Sequence, residues 1–230
     1  MFGGLGAMGG GHQQYQFAQN ILSGYGIDQD RFYSQDPKVS GPERARLQQS
    51  LLSAAEAGGR APDVQAARQT YGEAVRNLEA NNNSVVVSVG NQGQILDNFA
   101  ADAGGQRIQS SPDSAHNVLV NPDVTTVGST RWFDNGTERI ANYNSPDPET
   151  DIYASGSVGN GQDPNRMNVL GTSFASPRVA GAMAALHGNH PGMPSSAVEN
   201  LMRNRLTHET QGEKVLDFNL AEQYMRQGTF

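Results

Sequence analysis

The stretch Gly171-Thr172-Ser173-Phe174-Ala175-Ser176-Pro177-Arg178-Val179-Ala180-Gly181 limits the fold more than any other part of the chain. A glycine that permits a close backbone turn is followed at once by an apolar helical pattern. Ala175, Val179, Ala180, Ala182, Met183 and Leu186 form a stripe whose small members let the helix bury deeply. Pro177 is expected in the first helical turn, where its missing N–H costs least. Ser173 then stands at the helix N-terminus, where unpaired amides and the helix dipole favour negative charge. Most serines that open helices only cap them. One in this setting is also suited to be a nucleophile whose attack creates an oxyanion.

The rest of the chain supplies the layers such a helix needs. Apolar residues spaced three and four apart predict helices over 13–23, 43–57 and 63–80. Ser84-Val85-Val86-Val87-Ser88-Val89 is a short β-branched run, the pattern of a parallel strand covered on both faces. A helix leading into such a strand is half of a βαβ-type crossover. Further strands are expected over 117–120, 124–129, 139–144, 151–154 and 214–218, with Asp134-Asn135-Gly136 as a hairpin turn. Two helices close the chain, one after Ser173 and one over 196–205, the latter opened by a capping box of Ser196 and Glu199. The pattern predicts an α/β domain with a parallel sheet and helices on both faces.

With 230 residues the chain can bury a core of ordinary domain size. Residues 1–11 read as a flexible Gly-rich leader, with neither the basic n-region nor the apolar h-region of a secretory signal. Residues 12–230 read as a single domain. A net charge of −7 without a basic stretch argues against nucleic acid as partner, and no apolar run approaches a membrane span. The absence of cysteine excludes disulfides and thiol chemistry.

The eleven-residue string resembles the Gly-Thr-Ser-x-Ala-x-Pro-x-Val-Ala-Gly nucleophile motif of the subtilisin-like serine peptidases (subtilases), agreeing at every fixed position. The strand that continues into Val89-Gly90-Asn91-Gln92-Gly93 is similar to the family's strand ending in Gly-Asn-x-Gly. Asn121 to Ser129, Ala141 to Asn144, Asp151 to Gly156, His190-Pro191 and Gly212 to Asp217 follow the family as well, so that 62–230 match it and 12–61 match poorly. The resemblance implies a peptidase acting on a polypeptide through an acyl-enzyme; the chemistry implies no cofactor, and structural calcium occurs in the family but no ligand cluster in this sequence supports a metal. The resemblance implies Ser173 as nucleophile, and the Asn91 carboxamide and Ser173 N–H as oxyanion donors. Ser88, Val89 and Gly90 would line the pocket for the substrate residue before the cut.

The base and its orienting acid depart from the family pattern. Of the five histidines only His12 and His116 precede Ser173, and His116 falls where the family has no catalytic group. His12 is the candidate general base, although the Gly-Thr that follows the family's histidine is missing; the rival reading is a solvated histidine in a leader. Residues 1–11 contain no Asp or Glu, so no triad aspartate is evident. The chain is then a piece of a larger protein, or receives the carboxylate from another segment or a partner, or has lost its machinery. In a subtilisin, loss of the aspartate alone costs about 10⁴ in rate and loss of the nucleophile or base about 10⁶. Weak or self-processing activity is therefore compatible with a missing acid, and the competing reading is an inactive subtilase fold kept as a binding or structural module. His187 and His190 are three apart, but no further ligand is spaced to complete a metal site. The Gly-x-Ser elbow of α/β-hydrolases fails on order, because only Glu199 lies between Ser173 and the last histidine, His208.

Overall fold

A computed structural model describes residues 57, 59–91, 119–133, 136–141, 143–145, 150–158 and 169–227. The Gly-rich leader, His12, His116 and the expected helices over 13–23 and, but for Ala57, 43–57 lie outside the described residues. So do Asn117 and Val118 of one expected strand, and Asp134 and Asn135 of the expected turn.

The described residues divide between two compact units. Residues up to Thr70, with Gly90, Asn91, Leu119 and Ser145, belong to the first; the others belong to the second, which carries the sheet. Helix α1 is Pro62–Ala80. Strand β1 (Val86–Ser88) pairs in parallel with β2 (Thr125–Trp132), and β3 (Glu138–Ile140) folds back antiparallel on β2. On its other side β2 pairs in parallel with β4 (Ile152–Ser155). A small antiparallel pair follows, β5 (Ser157–Val158) with β6 (Val169–Leu170). Helices α2 (Thr172–Asn189) and α3 (Ser195–Arg205) come next. Strand β7 (Thr207–Thr210) lies antiparallel to β8 (Glu213–Leu216), which joins β4 in parallel, and helix α4 is Phe218–Gln227. The strand order is β1-β2-β4-β8-β7, mostly parallel.

The sheet takes its form from β2. Six consecutive residues, Thr125 to Thr130, are buried, which requires cover on both faces and neighbours on both edges. The register sets Val127 opposite Ser88 on one side and Ile152 on the other. At the next position Gly128 faces Tyr153, whose ring occupies the space a Cβ would need. Helix α2 packs on β1, β2 and β4 through Ala175, Val179, Ala182, Met183 and Leu186, all buried. Val198 and Met202 from α3, Leu206, Leu216 and Ala221 from α4 complete this core.

The strand expected over 139–144 stops at Ile140, and Leu119 and Val120 of the one expected over 117–120 are not in a strand. Three further expectations change. Pro177 lies inside α2, five residues past its first residue, and not in the first turn. The N–H it lacks is the one that would have met the Ser173 carbonyl, so the helix gives up a bond directly below the candidate nucleophile. The capping box at Ser196 and Glu199 does not form, because Pro194 is the N-cap of α3 and Ser196 already lies within the helix. Its place is taken by a distant residue: Asn82 accepts the Ser195 N–H through Oδ1 at 2.5 Å and donates through Nδ2 to the Met193 carbonyl at 3.5 Å. The third change is α4 itself. The strand expected over 214–218 ends at Leu216, because Asp217 Oδ1 accepts the Asn219 and Leu220 amides at 2.9 and 3.2 Å and opens a helix.

Burial raises the pKa of two carboxyls in this part of the chain. Asp151 accepts the Thr126 N–H at 2.8 Å and pairs with Arg203 of α3 at 2.9 Å, yet burial pushes its carboxyl above the ordinary value against both. Glu79, near the end of α1, is pushed up first by burial and then by the charges of Glu199 and Asp123. It lines a cavity of about 380 Å³ together with Asn82, Ser195 and Glu199. A carboxyl whose folded pKa is raised stabilises the fold at low pH and loses that contribution as pH rises through the folded value. Glu79→Gln should therefore raise the thermal midpoint at neutral pH, and the gain should close as pH falls below the ordinary glutamate value of 4.5. Melting curves of both proteins across that range measure it; a gain that persists at low pH contradicts the assignment.

Candidate active site

Ser173 is the second residue of α2 and is exposed, while Thr172 before it is buried. The N-cap is Gly171, with φ 169° and ψ 153°. That is extended backbone open to any residue, so the turn does not depend on a conformation reserved for glycine, contrary to the sequence expectation. Position 171 is instead marked by burial and close packing. Its N–H donates to the Gly156 carbonyl at 2.9 Å, and its own carbonyl accepts the Phe174 N–H at 3.0 Å. Ser173 thus lies in the opening turn of the helix, where the dipole adds partial positive charge beside its hydroxyl.

The support for this turn comes from β2 and β4. A Cβ on Gly156 would fall on the Ser129 hydroxyl, 2.6 Å from Tyr143 Oη and 2.8 Å from the Gly171 carbonyl oxygen. The main chain leaving β4 and the main chain entering α2 thus pass as closely as backbone allows. Ser129 is fully buried in β2, and its backbone N–H and C=O are both met by one side chain, Asn144, at 2.7 and 2.8 Å. Asn144 also donates to the Ala141 carbonyl at 2.9 Å. It acts as a piece of strand where β3 has stopped.

Asn91 stands in a bend two residues beyond Val89 and is exposed. Gly90 has φ 96°, the left-handed region that glycine occupies without strain, and its carbonyl accepts the Ser145 N–H at 3.0 Å. Ser88 is half-buried in β1 opposite Val127, and Val89 is fully buried with its N–H on the Val127 carbonyl at 3.0 Å. Ser88, Val89 and Ser173 thus share the second unit, in which α2 packs on β1. Gly90 and Asn91 belong to the first unit, and His12 lies outside the described residues.

Two further histidines, His190 and His208, have structural surroundings. The His190 ring packs on Tyr224 with centroids 5.4 Å apart. His208 Nε2 lies 2.9 Å from Glu138 Oε2 and its Nδ1 3.8 Å from Asp217 Oδ2, which ties β3 to the end of the sheet. Among the described residues no group of three or more His, Cys, Asp or Glu is placed to hold a metal ion, and no helix is long and apolar enough to cross a membrane. Sequence reasoning missed Ser129, Tyr143, Asn144 and Gly156. The one local signal was the unusual Asn-Tyr-Asn run after a strand, whose partners lie far away in sequence.

A family model described as the subtilase family matches residues 50–220. No curated protein sequence matches the chain. Similar solved structures include a protease from Pseudoalteromonas arctica, at 20% identity and TM-score 0.42, with 66% of this chain and 46% of that one covered. They also include the subtilase cytotoxin SubAB, at 20% identity and TM-score 0.40 with 70% and 57% covered. A third is the PatG macrocyclase in complex with peptide, at 17% identity and TM-score 0.40 with 66% and 46% covered. The chain spans about half the length of these structures.

The crowding at Gly156 gives a direct test. Gly156→Ala forces a methyl group onto Ser129 and Tyr143, and overpacking of this kind costs about 1–3 kcal/mol. Urea unfolding should show a loss in that range, and a variant as stable as the parent would contradict the packing described.

Proposed function

We propose that this chain, which belongs to the subtilase family, hydrolyses peptide bonds as a serine endopeptidase through an acyl-enzyme formed on Ser173. The observation that carries the proposal is the family's nucleophile string with its serine exposed in the first turn of a buried helix. In this reading Ser173 Oγ attacks the scissile carbonyl while a histidine, for which His12 is the candidate, takes the hydroxyl proton. The carbonyl oxygen gains negative charge and is held by the Ser173 N–H and the Asn91 carboxamide. Collapse of the tetrahedral intermediate breaks the C–N bond, and the amine leaves with the proton held by the histidine. Water then attacks the acyl-enzyme by the same route in reverse and frees the serine.

Ser88, Val89 and Gly90 line the pocket for the substrate residue before the cut. The triad aspartate is supplied by another segment or a partner. Turnover by this chain alone is then slow, and a single self-processing event is within its reach.

Asn91→Ala removes one oxyanion donor, a change worth about 10² to 10³ in turnover. Steady-state hydrolysis of a peptide substrate should show that fall in kcat with KM little altered. An unchanged kcat would contradict the role given to Asn91.

A further inference from the structure

Behind the turn that presents Ser173 lies a polar cluster that sheet pairing does not require. Tyr143 is nearly buried, and its Oη lies 2.5 Å from Ser129 Oγ. Ser129 Oγ in turn donates to the Thr130 carbonyl at 3.2 Å, which leaves it to accept from the tyrosine. The Tyr143 hydroxyl, the Ser129 hydroxyl and the Gly171 carbonyl oxygen all crowd the point where a Gly156 Cβ would stand, the first and last at 2.6 and 2.8 Å from it. Burial pushes the phenol up and outweighs the opposing effects of Ser129, Arg131 and Gly171, so at neutral pH the hydroxyl keeps the proton it donates. The bonds run one way: Tyr143 to Ser129, and Ser129 to the Thr130 carbonyl. The Ser129 hydroxyl accepts once and donates once, an arrangement in which neighbouring bonds strengthen one another.

The Gly171 amide meets the Gly156 carbonyl, which closes the sheet against the helix, and the Tyr143 hydroxyl sits against that same contact. We infer that Tyr143 is a positioning residue: clamped by Ser129, its hydroxyl fixes the Gly171 backbone and so the direction in which the Ser173 hydroxyl and N–H leave the helix. The catalytic part of this inference rests on the reading of Ser173 as nucleophile; the clamp itself does not. A buried phenol is suited to the task because its ring is held by packing, so its oxygen has one place to be. Displacements of about 1 Å at a reacting group can cost 10² in rate. The clamp therefore bears on turnover more than on substrate binding.

Tyr143→Phe keeps the ring and removes the hydroxyl, and Ser129→Ala removes the other half of the clamp. Two measurements on the full chain decide the matter. The first is amide hydrogen exchange across 169–174, with α3 as internal reference. Exchange in that segment should quicken about tenfold in both variants, and no further in the double variant, while α3 is unchanged. The second is hydrolysis of a p-nitrophenyl ester, where kcat should fall about tenfold at constant KM. Exchange that stays at the parent rate, or quickens equally throughout the sheet and α3, overturns the positioning role. So does a parent-like kcat in both variants. Local exchange that quickens in a protein with no esterase activity even as the parent chain leaves the clamp standing and removes the peptidase reading instead.

Discussion

The hydrogen bond from the Gly171 amide to the Gly156 carbonyl is where the sheet takes hold of the helix. It joins the end of β4 to the start of α2 over a distance that leaves no room for a Cβ at position 156. Because the two chains touch there, the first turn of α2 has a fixed origin, and the buried stripe from Ala175 to Leu186 fixes its direction across β1, β2 and β4. Ser173 is exposed because the residues on either side of it in space, Thr172 and Ala175, are committed to the interior. Loosening the contact at Gly156 would leave the helix in place and free its leading turn.

That contact is kept by a strand with an unusual number of polar side chains. Thr125, Thr126, Ser129 and Thr130 are all buried in β2. An unpaired buried polar group costs about 1–3 kcal/mol, so a strand of this kind needs surroundings that answer most of it. Asn144 answers both backbone groups of Ser129, Asp151 the Thr126 amide, Arg203 reaches the Thr125 hydroxyl and Glu138 the Thr130 hydroxyl, while the Thr126 hydroxyl stays buried without a partner. A purely apolar strand would have packed as well. The polar one also fixes the register of the segments that follow it, including the tyrosine beneath the nucleophile turn.

How far the sequence disclosed this depends on the range of the interaction. Helices α1, α2 and α3 and strands β1, β2 and β4 are legible because each carries a local period or a β-branched run that packing then exploits. Helix α4 was legible too, through Asp217 as cap and Leu220, Ala221, Tyr224 and Met225 at helical spacing, but the apolar Val215 and Leu216 before it read as a longer strand. Strand β7, Thr-His-Glu-Thr, has no apolar face because it is an edge strand with His208 and Glu209 exposed, and β5 and β6 are two residues each, too short for any period. The Asn82 cap on α3 and the Tyr143–Ser129 pair could not be read at all, since nothing local marks which distant group will face them. At the site, the motif located Ser173 in its turn, whereas the residues that hold the turn are visible only in three dimensions.

The chemical claim reduces to whether the hydroxyl presented by this turn is activated. Incubating the full chain with a fluorophosphonate and mapping the adduct by peptide mass spectrometry measures that directly, without any assumption about substrate. The account predicts a single phosphonylated residue, Ser173, with labelling abolished in Ser173→Ala. Absence of an adduct at every pH tried, or modification of half-buried Ser176 or of other serines to the same extent, would contradict it.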